Sequence, residues 1–134
     1  MVLTVFVAGL GYLVWCFASV PRALHDCYGQ WDAAELIIRF HRQHNRLPAS
    51  WEQIGEVYGD GSGLHGGMTF MQLKETIVVE FARLGELQEL ARQTSAVSAL
   101  PEIVYPRSGR QSHWAGAEPN HLVYDYLRTQ RERP

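Results

Sequence analysis

The feature that most constrains this chain is the apolar run at residues 2–20, which contains no charged side chain. As a helix this run would span roughly 28 Å, close to the hydrocarbon thickness of a bilayer. A single segment inside lipid must be helical, because unpaired backbone N–H and C=O groups are costly there. The run therefore predicts a membrane-spanning helix, and its bulky residues form the expected lipid anchor: Val2, Phe6, Leu10, Leu13, Trp15 and Phe17.

Other interpretations of the apolar run fit the sequence less well. A cleaved signal peptide would have a shorter apolar core and a basic region before it, and no Lys or Arg precedes Arg22. A lipoprotein site at Cys16 is disfavoured by the bulky Trp15 before it. A buried helix of a soluble core is a third interpretation, but so small a domain has little room for such a run.

The charge pattern bears on partners and on location. The formal net charge of −2 lies entirely at or beyond Arg22, and it argues against nucleic acid as a partner. Because Arg22 closely follows the apolar run, the positive-inside rule favours a cytoplasmic domain. The two cysteines, Cys16 and Cys27, lie at different expected depths and predict no disulfide bond.

Beyond the apolar run, the sequence predicts a single small α+β domain. Pro21 is expected to end or kink the first helix, so we expect an anchor at 1–21, a connector at 22–30 and a domain at 31–134. An amphipathic helix at 31–45 should pack on a small, largely antiparallel sheet surrounded by short helices. The other expected elements are helices at 51–58, after Thr69, at 84–92 and from Pro119, and strands at 76–81, 101–105 and 111–114.

Two histidines are the only candidates for a metal site. His41 and His44 lie three residues apart on the amphipathic helix and could present two imidazoles to one ion. Zinc needs a third ligand at least, which His25 or Cys27 could supply. Both candidate histidines fall on the apolar stripe of the helix, so packing in the core is the preferred interpretation. No metal and no other cofactor is predicted.

A second candidate site is the polar and aromatic cluster around Arg107, Arg110 and Trp114. Two guanidinium groups across a turn could bind a carboxylate or a phosphate. The competing interpretation is a solvated hairpin tip with Trp114 packed inward. The glycine-rich loop at 59–67 lacks the context of a phosphate-binding loop or a nucleophile elbow, and Asp60 alone is too few ligands for calcium. We therefore predict no enzymatic activity.

Residues 36–50, LIIRFHRQHNRLPAS, resemble type IV pilin-like proteins, above all the pseudopilins of type II secretion. In those proteins an apolar helix runs into an amphipathic one, which ends in an aromatic, several polar residues and a Pro–Ser/Thr element before an antiparallel sheet. Phe40, Pro48 and Ser50 match this order. The chain departs from the family at Val5 and Phe6, near the position of its early glutamate, and in lacking a basic leader that ends in Gly before a Phe.

These observations predict a non-enzymatic, single-pass membrane-anchored accessory or assembly subunit. It would act through contacts with protein partners in a membrane complex, in the manner of a pilin-like component. The resemblance implies an extracytoplasmic domain, whereas the charge pattern favours a cytoplasmic one. The alternative function is a membrane-tethered sensor domain that binds a small anion or a metal ion.

Overall fold

The computed structural model describes residues 2–61, 63–93, 97, 99–112, 114 and 116–131, with only the helical backbone for residues 2–22. Within these residues, five α-helices surround a two-stranded antiparallel sheet, and the expected α+β class is confirmed. In chain order the elements are α1 (Val2–His44), α2 (Trp51–Tyr58), α3 (Phe70–Thr76), β1 (Ile77–Val79), a 3-10 turn (Phe81–Arg83), α4 (Leu84–Arg92), β2 (Val104–Pro106) and α5 (Pro119–Arg131).

Helix α1 is one continuous element of 43 residues, about 64 Å long at the usual rise per residue. The helix therefore does not end at Pro21, and residues 22–30, which we expected to form a connector, are helical. Proline weakens a helix by removing one N–H, but tertiary packing can sustain the helix beyond it. Here that packing begins at Asp26 and is close at Gly29, where a Cβ atom would lie 3.0 Å from the Ile77 side chain.

The transmembrane anchor expected at residues 2–20 lies outside the residues whose side chains the structure describes. Among the described residues, no helix combines the length and the apolar character needed to cross a membrane. The described side chains of α1 begin with three exposed residues, Ala23, Leu24 and His25. The folded domain is thus built on the C-terminal half of α1.

The core of the domain forms around that half of α1. Leu36, Ile37 and Phe40 are fully buried, and α1 contacts α2, α3, α5 and both strands. Burying a side chain of this size contributes about 2 kcal/mol relative to leaving it exposed. The apolar stripe expected on the amphipathic helix is therefore the central surface of the core.

The helices after α1 begin where the sequence predicts, but α2 lacks the predicted side-chain cap at its start. Thr69 caps α3 as expected, since its Oγ1 accepts from Gln72 N at 3.2 Å and Gln72 Oε1 accepts from Thr69 N at 2.8 Å. Helix α2 begins after Ser50, but the Ser50 side chain makes no capping hydrogen bond to the helix backbone. Instead, Gln53 Oε1 accepts from Ala49 N at 2.8 Å. Helices α4 and α5 have their expected starts.

The sheet is smaller than expected. Ile77 pairs with Pro106, Val78 with Tyr105 and Val79 with Val104. The strand expected at 76–81 ends early because Phe81 enters a 3-10 turn, where its ring packs against Trp51 at 5.9 Å. The third strand expected at 111–114 is wrong for the residues described there, 111, 112 and 114, which are not in a strand.

Candidate functional site

In the part of α1 whose side chains are described, four polar side chains are buried, and their hydrogen bonds reach different parts of the chain. These are Asp26, Gln30, Asp32 and His41, each less than a tenth exposed. Buried polar groups are costly unless they are hydrogen-bonded, so their partners show what the burial achieves. Among the described residues, no buried side-chain nitrogen or oxygen lacks a hydrogen-bond partner.

Asp32 fixes part of the glycine-rich loop that the sequence suggested was a flexible connection. Its side chain is almost fully buried, with Oδ1 accepting from His65 N at 2.7 Å and Oδ2 accepting from Gly66 N at 2.8 Å. A Cβ atom at position 66 would lie 2.9 Å from Oδ2, so a glycine allows this close approach. The loop is thereby attached to the C-terminal half of α1.

An aromatic cluster includes His65, whose ring lies beside the same carboxylate. The His65 imidazole stacks on Trp31 at 6.0 Å between ring centroids, and Trp31 meets Trp114 edge to face at 6.3 Å. His65 Nδ1 lies 3.5 Å from Asp32 Oδ1, so an exposed imidazole faces a buried carboxylate. The sequence interpretation missed this cluster. The available signal was an acid at position 32, which is in helical register with the apolar Leu36 and Phe40.

The structure separates the two candidate metal-ligating histidines. His41 is buried between α1 and α5, with Nδ1 3.1 Å from the Tyr126 hydroxyl. His44 is exposed, so its expected packing in the core is wrong; its ring stacks on Phe40 at 4.3 Å and its Nε2 lies 3.7 Å from Glu56 Oε2. In the part of the chain that the structure describes, no three His, Cys, Asp or Glu residues are grouped so that they could hold a metal ion.

His41 lines an open groove of about 590 Å³ between α1 and α5. Glu35 and Arg42 on α1 and Asp125 and Tyr126 on α5 also line this groove. The Arg42 guanidinium lies over the Tyr126 ring at 5.3 Å, a cation–π contact. Burial lowers the pKa of His41 below its ordinary value of 6.5, because the imidazolium loses solvation there.

This lowered pKa predicts a pH dependence of stability. Between the lowered pKa in the folded state and about 6.5 in the unfolded state, the unfolded chain binds more protons, so stability falls as pH falls through this window. We expect the urea midpoint of the full chain in detergent to drop more between about pH 7.5 and pH 5 than that of His41→Gln. Equal drops in both proteins would contradict a role for His41.

The second candidate cluster lies against α1. Ser108 Oγ donates to Asp26 Oδ2 at 2.6 Å, and Gln30 Nε2 donates to Ser112 Oγ at 2.6 Å. These two bonds hold the segment 107–112, which we call the basal loop, beside α1. They also explain why the third strand does not form, since Ser112 is tied to α1.

Of the three candidate residues in this cluster, Arg110 and Trp114 line one cavity of about 300 Å³, together with Glu102 and Glu118. Arg107 is not part of its lining, and its Nε donates to the Glu75 carbonyl at 3.0 Å. Trp114 is half-buried against Trp31. The two arginines are both exposed, so the structure does not close them around a common point.

Comparisons of the chain with protein-family models, with curated proteins and with solved structures find no match. The resemblance of residues 36–50 to pseudopilins therefore stays a prediction. The function must be inferred from the geometry of this chain, above all from the continuity of α1 and from what its polar side chains hold.

Proposed function

We propose that this protein is a single-pass membrane-anchored accessory or assembly subunit that acts through contacts with protein partners. One observation carries the proposal: the uncharged run at 2–20 and the core of the domain belong to one helix, Val2–His44. A continuous helix would transmit the orientation of an anchor to the domain, whereas a flexible linker would not. The same order, an apolar helix running into a core helix followed by a sheet, supports a pilin-like role.

A continuous α1 would fix both the rotation and the height of the domain above the bilayer. Each residue of a helix contributes about 1.5 Å of height and about 100° of rotation. Asp32, which holds the loop at 65–66, would lie about 18 Å along the axis beyond Val20. A partner in the same membrane would then meet the same face of the domain in every copy.

Insertions of alanine between Arg22 and Ala23 test this proposal, because they change the anchor relative to the domain without altering the contacts from Asp26 onward. Two alanines rotate the domain by about 200° and raise it by about 3 Å; four rotate it by only about 40° but raise it by about 6 Å. We expect recovery of cross-linked partners from native membranes to fall about tenfold or more with two residues and to stay within about twofold with four.

Matched thermal melts of the two insertion proteins in detergent provide the control for folding. Equal recovery of partners with both insertions would contradict a rigid helical connection. A wild-type protein that purifies from gently solubilised membranes as a lone monomer would contradict the assembly role itself.

The side of the membrane can be assigned with Cys27, which is half-exposed and lies about 10 Å along the helix beyond Val20. An impermeant thiol reagent added to sealed vesicles of known orientation labels Cys27 only from the side that holds the domain. Labelling from the extracytoplasmic side is expected for a pilin-like subunit, whereas labelling from the cytoplasmic side follows the charge pattern. Cys27→Ser is the control, since Cys16 is the only other thiol.

One observation favours the second candidate function, a membrane-tethered sensor of a small anion. Arg110 and Trp114 line the same cavity, so a guanidinium and an indole could contact one ligand. Inorganic phosphate is the simplest probe of this function.

A further inference from the structure

We propose that the basal loop, together with the first exposed turn of α1, binds the headgroups of anionic phospholipids. This inference rests on the proposed function, because it requires residues 2–20 to lie in the bilayer. It assigns a ligand to Arg107 and Arg110, which are exposed in the basal loop; Arg110 lines a cavity with Ala23 and Leu24 of α1.

The first step is the position of the basal loop along α1. Arg110, Gln111 and Ser112 line a small cavity of about 260 Å³ with Ala23 and Leu24, the first residues of α1 whose side chains are described. Ala23 and Leu24 lie about 4.5 to 6 Å along the axis beyond Val20. The polar layer of a bilayer is about 5 to 8 Å thick on each side, so this part of the loop would lie at headgroup depth.

The second step is the charge of this end of the domain. Residues 106–117 contain two arginines and no acidic residue. The acid of α1 that contacts this loop, Asp26, is buried and accepts a hydrogen bond from the Ser108 hydroxyl. Glu102 and Glu118 line the neighbouring cavity together with Arg110. A guanidinium presents a planar fork of donors that matches the oxygens of a phosphate, which suits it to a phospholipid headgroup.

The third step is the exposed apolar side chain beside Arg110, which is Leu24. Leu24 is 49% exposed and Tyr28 is 40% exposed, and they are two of the three large hydrophobic side chains that the described part of the chain leaves exposed. Leu24 is the apolar side chain at the depth of Arg110, since Tyr28 lies about 12 Å along the axis beyond Val20. A basic side chain beside an apolar one at headgroup depth suits an anionic membrane surface.

The hydrogen bonds of the basal loop give this surface a fixed geometry. Ser108 and Ser112 are held to α1 at residues that lie 82 positions earlier in the chain, so the loop is attached on both sides of Arg110. Arg107 is further restrained by the bond from its Nε to the Glu75 carbonyl. Little ordering of the loop would therefore be needed when lipid binds.

Hydrogen exchange of the full chain in lipid nanodiscs tests the inference. We expect amide exchange at 108–112 to slow about fivefold or more when one third of a phosphatidylcholine bilayer is replaced with phosphatidylglycerol. The double variant Arg107→Gln with Arg110→Gln should lose this difference. Exchange of the β1 and β2 amides, unchanged in the variant, checks that the fold is intact.

The matched control carries the same change of charge at the other end of the domain. Arg42 and Arg92 are both exposed, and Arg42 lies about 33 Å along α1 beyond Val20. Their double replacement with glutamine should leave the lipid-dependent slowing at 108–112 within about twofold of the wild type.

Three outcomes would overturn the inference, and they are distinguishable. Equal exchange in both lipids, in a protein that alkaline carbonate does not extract, would exclude lipid binding while leaving the proposed anchor intact. If alkaline carbonate extracted the protein from membranes, residues 2–20 would not be a membrane anchor, and both proposals would be wrong. In the third outcome, inorganic phosphate slows amide exchange at 108–112 in an uncharged detergent, and anionic lipid has no further effect. That result would assign the arginines to a free anion and favour the sensor function.

Discussion

Replacing Asp32 with alanine is expected to lower the free energy of unfolding of the domain by about 3 kcal/mol. The substitution removes a buried carboxylate that accepts two backbone N–H groups, from His65 and Gly66. Both N–H groups would lose a charge-assisted hydrogen bond, and the loop at 65–66 would lose its attachment to α1. Urea unfolding of the full chain in detergent, followed by tryptophan fluorescence, measures the change.

Asp32→Asn separates the two parts of this effect. The amide retains one acceptor oxygen, so we expect about half of the loss seen with alanine. Glu35→Ala is the matched control on the same helix, since its ion pair with Arg39 is long at 3.8 Å and partly exposed, and such pairs contribute less than about 1 kcal/mol. If Asp32→Ala were no more destabilising than this control, the attachment of the loop would not matter for stability.

Replacing Asn120 with alanine is expected to destabilise the domain by about 3 to 4 kcal/mol. Its Oδ1 accepts from Ile103 N at 2.9 Å and Val104 N at 2.8 Å, and its Nδ2 donates to Val104 O at 3.2 Å. Ile103 and Val104 are fully buried, so water cannot easily replace the lost partner. Three buried backbone groups would remain unpaired.

Under native conditions, Asn120→Ala should increase amide exchange first in β2. We expect the amide of Val104 to exchange faster than that of Val79 under native conditions, because it loses its acceptor. His121→Ala is the control in the next position, where the side chain is exposed and bonds Glu118 at 3.0 Å. Equal unfolding free energies for the two variants would contradict the assigned role of Asn120.

These two residues show where sequence interpretation was insufficient. Asn120 follows Pro119 in the first turn of α5, and nothing in the local sequence distinguishes it from an ordinary polar residue on a helix surface. Only the fold brings it beside Ile103 and Val104, and its bonds to these residues help explain why β2 begins at Val104 and not at the expected residue 101. Asp32 similarly meets a loop that lies 33 and 34 residues later in the chain.

Local signals predicted the helices well because the atoms that produce them lie within one turn of each other. Thr69 and Gln72 are three residues apart, and Pro119 needs no N–H partner at the first position of α5. The apolar stripe of α1 likewise follows from helical spacing, and it predicted the burial of Ile37 and Phe40. The class of the fold follows from these elements.

The tertiary structure decided the features on which the proposals depend. Pro21 is a strong local signal for a helix end, yet α1 continues through it and its next turns are packed against the domain from Asp26 onward. The bonds of the basal loop to α1 place Arg110 beside Ala23 and Leu24, close to the apolar run. Sequence alone predicted an apolar run and two exposed arginines, but their juxtaposition depends on hydrogen bonds between residues 82 positions apart, which no local pattern encodes.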